Sequence, residues 1–297
     1  MNLRKILVTT DFSERSEQAF APAAALARRH SARLDVVHVA GVLPAFAMGH
    51  SAAVTLGAYR ADLERQLGEV VARPVFESLD VQGTVLEGYG PEAVDRFQQD
   101  GGHDLLVTAT HGHSGLRRLV MGSFAERLVQ LSHCPVLTFR PGRAGDDFTP
   151  KRIVVPYDLS ELARQVFPWA RDIAGRHDAE IVVVHVLDVD LFPVSEFPVS
   201  IGSGVSYPVY WEDARKKARQ QLEAEVSKHF GGVRARAEVR VGPPVSEIVA
   251  AAEAFDADAI ILSTHGRTGL SHALLGSVAE RVVRKAPCSV LTSRPLA

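Results

Sequence analysis

The sequence predicts an α/β protein of two tandem doubly wound (Rossmann-like) domains, each a five-stranded parallel sheet with helices on both faces. Three observations carry this. The chain has 297 residues, the length of two domains of about 150 residues each. Residues 105–141 align without gaps to 259–295, with 17 of 37 positions identical, where composition alone would give roughly two or three. Within each copy, short apolar runs alternate with stretches of helical period, as in a parallel sheet covered on both sides.

The repeat extends upstream. KILVTTDFS from Lys5 matches RIVVPYDLS from Arg152 at an offset of 147, pairing Asp11 with Asp158, Ser13 with Ser160 and His38 with His185. The offset then grows to 154, so the second copy holds seven extra residues between its second and third strands. The boundary falls in residues 142–150, GRAGDDFTP, a polar Gly/Pro stretch typical of a linker. The expected domains are therefore residues 1–141 and 151–297.

In the first copy, residues 6–10 form an apolar strand. A helix runs from Ser13 to about residue 30, with Phe20, Ala24 and Ala27 at helical spacing. Residues 34–39 are the second strand, 59–71 a helix and 81–86 the third strand. Residues 91–99 form a helix opened by Pro91. Residues 105–110 are a strand, 123–131 a helix and 136–139 the last strand. The second copy repeats the strands at 153–155, 181–186, 237–241, 260–263 and 290–293. Residues 192–210, rich in Pro, Ser, Gly and aromatics, are expected to form a long loop, with 41–57 as its counterpart.

Composition excludes several classes. Lys+Arg is 33 against 35 Asp+Glu, net charge −2, without the basic excess of a nucleic-acid binder. Hydrophobic residues at 46% and charged residues at 23% argue against wholesale disorder. Two cysteines cannot build a disulfide framework and favour a reducing compartment. No apolar run approaches the roughly 18 residues of a membrane span, and the N-terminal stretch lacks a signal peptide's apolar core. A cytoplasmic protein with no membrane or nucleic-acid partner is expected.

The informative motif is Thr110-His111-Gly112, nine residues, then Gly122-Ser123. It recurs as Thr264-His265-Gly266, nine residues, then Gly276-Ser277. Gly115 and Gly269 repeat inside it. Glycine lets backbone approach a ligand closely, and the helix after Gly122 or Gly276 offers unpaired N–H groups to a phosphate. Ser123 and Ser277 add a hydroxyl donor. Arg267 either meets a phosphate or is an exposed loop arginine. Alternatively, Ser123-x-x-Glu126 and Ser277-x-x-Glu280 are capping boxes, which would explain the Ser and Glu but not the repeated glycines. Asp11 and Asp158 follow the first strand of each copy, on the same sheet edge as the Gly loops. If the first and fourth strands are neighbours, that edge is the topological switch point where nucleotides bind. A carboxylate there suits an adenine amino group or a ribose hydroxyl, and equally a turn or N-cap aspartate.

These residues resemble universal stress protein domains in tandem: TTDFS and PYDLS, VVHV at Val36 and Val183, THG-x9-GS in both copies, and the closing Ala-Glu-Arg with Cys134 to Pro141 and Cys288 to Pro295. The ATP-binding branch of that family carries Gly-x2-Gly-x9-Gly-Ser/Thr. Its second and third glycines match Gly112 and Gly122, or Gly266 and Gly276; its first is replaced by Ala109 and by Ser263. The resemblance implies adenine contacts from Asp11 or Asp158 and from the backbone near Val39 or Val186. It implies strand order 3-2-1-4-5 and pairing of the two domains through their last strands, and it allows two chains to form a homodimer. The expected function is an ATP-binding stress-response sensor or regulator, with Mg²⁺ arriving on the phosphates. The alternatives are a non-nucleotide interaction scaffold and a slow ATPase.

No Gly-x4-Gly-Lys-Ser/Thr loop is present, which excludes a P-loop NTPase. Of His111 and His113 only the first repeats, a weak pattern for a metal. Cys134 and Cys288 are expected as buried small hydrophobes, His38 and His185 as packed strand residues, and His30 and His177 as helix C-terminal residues favoured in charged form.

Overall fold

Pro22 decides where the first long helix begins. A helix continuous from Ser13 would lack the N–H of Pro22 and clash with the carbonyl four residues back. The chain instead makes one short turn of helix, α1 (Glu14–Glu17), and restarts as α2 (Phe20–His30), with Pro22 in the first turn where no donor is needed. This corrects the single helix expected from the sequence. In this computed structural model, residues 2–41, 52–110, 122–142, 144–188, 207–264 and 276–294 are described.

The first half contains β1 (Lys5–Thr9), α1, α2, β2 (Arg33–Ala40), α3 (Ala52–Val71), β3 (Val81–Glu87), α4 (Gly90–Gly101), β4 (Leu105–Ala109), α5 (Ser123–Leu131) and β5 (Val136–Phe139). The second contains β6 (Arg152–Pro156), α6 (Glu161–Arg164), α7 (Phe167–His177), β7 (Glu180–Leu187), α8 (Tyr207–His229), β8 (Arg234–Val241), α9 (Pro244–Ala254), β9 (Ala259–Ser263), α10 (Ser277–Lys285) and β10 (Ser289–Ser293). Both α3 and α8 begin inside stretches expected to be loops. Ala52 and Ala53 are good helix formers, and Pro208 sits in the first turn of α8, where proline is tolerated.

The ten strands form one sheet in the order β3-β2-β1-β4-β5-β10-β9-β6-β7-β8. Each half therefore has the order 3-2-1-4-5. All neighbours are parallel except β5 and β10, which run antiparallel with Leu137 opposite Leu291. Central strands such as KILVT and LLVTA are near-continuous apolar runs because both of their faces are covered. Ile6, Val8, Leu34, Ile153 and Ile181 belong to one buried layer. Leu7, Val37, Leu106, Val154 and Ile260 belong to the other. At the antiparallel seam the buried hydroxyls of Thr138 and Thr292 donate to the carbonyls of Val290 (3.0 Å) and Val136 (3.3 Å), so neither hydroxyl is stranded. Among the described residues no helix is long and apolar enough to cross a membrane.

Candidate functional site

Strand order reverses between β1 and β4, and again between β6 and β9. At the carboxyl edge of each switch point the same turn is built. Asp11 Oδ1 accepts from the backbone N–H of Ser13 at 3.0 Å and from its hydroxyl at 2.5 Å. Asp158 Oδ1 accepts from the N–H of Ser160 at 3.0 Å. Ser13 and Ser160 are the helix caps, accepting from the N–H groups of Ser16 (3.2 Å) and Ala163 (3.1 Å). Between aspartate and serine, Phe12 and Leu159 stand at φ 62° and 67°, a left-handed conformation uncommon for such residues and present in both halves. His38 and His185 donate from Nδ1 to the carbonyls of Thr10 (2.9 Å) and Tyr157 (2.8 Å), tying the second strand to the turn. Burial holds His38 below the ordinary histidine pKa, although its bond to Thr10 and the nearby Asp11 act the other way.

The Gly loops close at their bases. The N–H of Gly122 donates to Thr110 O, and that of Gly276 to Thr264 O, both at 2.8 Å. Gly122 and Gly276 are the N-caps of α5 and α10, without a side-chain cap bond, so Ser123 and Ser277 are first helical residues rather than caps. This overturns the capping-box alternative. Glu126 and Glu280 both pair instead with Arg284, whose guanidinium bridges α10 to α5.

In the second half these parts share a cavity of about 600 Å³. Asp158, Val186, Ser263, Thr264, Gly276 and Ser277 all line it, with Ile248 and Leu262 giving an apolar wall. Residues missed from the sequence also line it: Lys217 and Gln221 of α8, and Asp188 after β7. No repeated motif marks them, and the sequence suggested a later helix start only in the corresponding region of the first copy. In the first half, Ala109 ends β4 as a buried residue and Val39 is a partly buried residue of β2. Gly112, Gly115, Gly266, Arg267 and Gly269 lie outside the described residues, as do His111 and His113.

Gly276 has a steric reason to be glycine. A Cβ built on it would lie 2.9 Å from the backbone oxygen of Thr264. Gly276→Ala is expected to cost about 1–3 kcal/mol by forcing this contact apart. Urea denaturation checks it; an unchanged midpoint would show that the loop base yields freely.

Among the described residues no group of three or more His, Cys, Asp and Glu side chains is placed to hold a metal. Neither cysteine is in a disulfide, and both are buried. Burial pushes the Cys134 thiol up to about 12, against weaker opposing hydrogen bonds from Ser132 and Gln98, so it packs as an inert side chain.

Fold and site define a tandem doubly wound protein with ligand-sized space at a switch point. The sequence model of the universal stress protein family matches residues 2–140 and again 149–294. The chain belongs to the universal stress protein family. A universal stress protein of Methanocaldococcus jannaschii is 37% identical over 143 residues, covering 48% of this chain and 80% of that one. A universal stress protein of Mycolicibacterium smegmatis is 26% identical over 98% of this chain and 97% of its own length. A universal stress protein structure from Archaeoglobus fulgidus superposes with a TM-score of 0.67 at 18% identity, covering 99% of this chain and 97% of that one, a likeness of fold.

Proposed function

We propose that the chain binds adenine nucleotide, ATP, in its second-half cleft, and acts as a nucleotide-dependent sensor or regulator in the stress response. One observation carries this: Asp158, Val186, Ser263, Gly276 and Ser277, singled out separately from the sequence, line a single cavity of about 600 Å³. That volume lies within the range of small-molecule sites. In this reading the nucleotide lies across the strand ends. Asp158 and the backbone at Val186 take the base or ribose, and the phosphates meet the start of α10. Gly266, Arg267 and Gly269 belong to the same proposed site by their place in the repeated motif. Asp11, Val39, Ala109, Gly112, Gly115, Gly122 and Ser123 make the corresponding set in the first half. Mg²⁺ arrives on the phosphates in this reading. A cytoplasmic location, domains of residues 1–141 and 151–297 cooperating through β5 and β10, and homodimer formation belong to the same proposal.

Calorimetry with ATP tests it. The intact chain is expected to bind, and Gly266→Val to lose the second-half site, while Gly112→Val reports the first. An intact, folded chain with no heat at millimolar ATP would leave the interaction scaffold as the reading. Phosphate release under single-turnover conditions checks the slow-ATPase alternative.

A further inference from the structure

The second half has another cavity, at the opposite edge of its sheet from the nucleotide cleft. It measures about 300 Å³ and is lined by Arg140, Ala252, Glu253, Ala257, Asp258 and Cys288 among others. The internal repeat explains its origin. At the offset of 154, Ala252, Ala257 and Ala286 stand where the first half has Gln98, His103 and Ser132. In the first half those three polar side chains are buried together beside Cys134. Two of the three alanines, Ala252 and Ala257, line the space.

Arg140 lines this space from the first half, just beyond β5. Its main chain is clamped by Ser289: its N–H donates to Ser289 Oγ at 3.0 Å, and that hydroxyl donates to its carbonyl at 3.2 Å. Its Nε is buried without a hydrogen-bond partner. Burial lowers its pKa, with Cys288 acting the other way, as for a cation short of a counter-charge. Asp258 is buried and already accepts from the N–H groups of Lys151 and Arg152, each at 2.8 Å; Glu253 is exposed at the rim.

We propose that this cavity binds a small monocarboxylate with a short apolar tail, its carboxylate on the Arg140 guanidinium and its tail against Ala252, Ala257 and Pro287. A guanidinium matches a carboxylate in charge and shape. The two acidic linings oppose a dianion, so inorganic phosphate is the weaker ligand.

Butyrate titrated into the full chain, followed by calorimetry, is the test. Saturable binding is expected. Arg140→Gln should weaken it about tenfold or more, the loss of a charged hydrogen bond. Ala252→Gln with Ala257→His, restoring the first-half side chains, should abolish it. Butyrate should also slow alkylation of Cys288 and leave Cys134 unaffected. The melting temperature of Arg140→Gln, compared with the parent, separates lost binding from lost folding. The proposal fails if butyrate does not bind at millimolar concentration, if folded Arg140→Gln binds as well as the parent, or if phosphate binds more tightly.

Discussion

His103→Ala alone is expected to cost about 3–5 kcal/mol, whereas Asp35→Val and His103→Ala together should cost only about 1–2 kcal/mol. The two side chains meet at 2.9 Å between Asp35 Oδ2 and His103 Nε2, and they are 5% and 1% exposed. Arg33 Nε holds the other Asp35 oxygen at 3.0 Å, and His103 Nδ1 lies 3.3 Å from Gln98 O. Burial works to raise the Asp35 pKa, but the hydrogen bonds from His103 and Arg33 outweigh it and leave the carboxylate below its ordinary value. Removing the histidine strands a buried charge with one partner at its edge. Removing both groups strands nothing and leaves mainly the hole. The second half carries that double replacement: at the equivalent positions it has Val182 and Ala257, both in its apolar layer. A double-mutant cycle in urea measures the coupling, expected at about 2 kcal/mol or more. Additive costs would mean the pair contributes by packing alone.

This pair also shows what was legible from the sequence. Apolar runs placed the central strands, because KILVT, LLVTA and AIILS are buried on both faces. The edge strand β8 instead starts at Arg234, three residues before the expected 237, because its first residues are polar and exposed in alternation. The duplication then required each half to repeat the other's topology. Helix starts were less legible: Pro22 breaks a helix that periodicity alone would continue, and α8 begins where Pro, Tyr and Trp resemble loop composition. Asp158 and Gly276 were readable because both recur in the first copy, as Asp11 and Gly122, and Ser263 because it stands where the resembled motif has its first glycine. Lys217 and Gln221 were not, since they reach the cleft only through the packing of α8. Asp35 with His103 was also missed, because 68 residues separate them in sequence and the second half has no equivalent pair to draw attention to it.

Acidification should destabilise the protein by about 1–2 kcal/mol through His177, and His177→Gln should remove that loss. His177 ends α7, where a helix dipole favours positive charge by about 0.3–1 kcal/mol, so sequence position alone favours a charged ring. The structure reverses this. Arg29 Nη1 lies 3.1 Å from His177 Nε2. An arginine can only donate, so that nitrogen accepts and the ring is neutral. Burial, then Arg29, Lys151 and Arg176, push its pKa down to about 4, with Asp172 the opposing neighbour. The unfolded ring takes a proton near its ordinary value of about 6.5. Between about pH 6.5 and 4 the unfolded chain therefore binds a proton that the fold refuses, and stability falls as pH falls through that window. Below it both states are protonated and the loss stops growing. The ring is only half-buried, so screening trims the full effect of the shift to the 1–2 kcal/mol stated. His30 and His38, whose pKa values burial also lowers, add their own losses in both proteins and cancel in the comparison. Urea midpoints at pH 7 and pH 4.5 decide it: the parent should lose more than His177→Gln, whose amide oxygen still accepts from Arg29, and equal losses would place the acid sensitivity elsewhere.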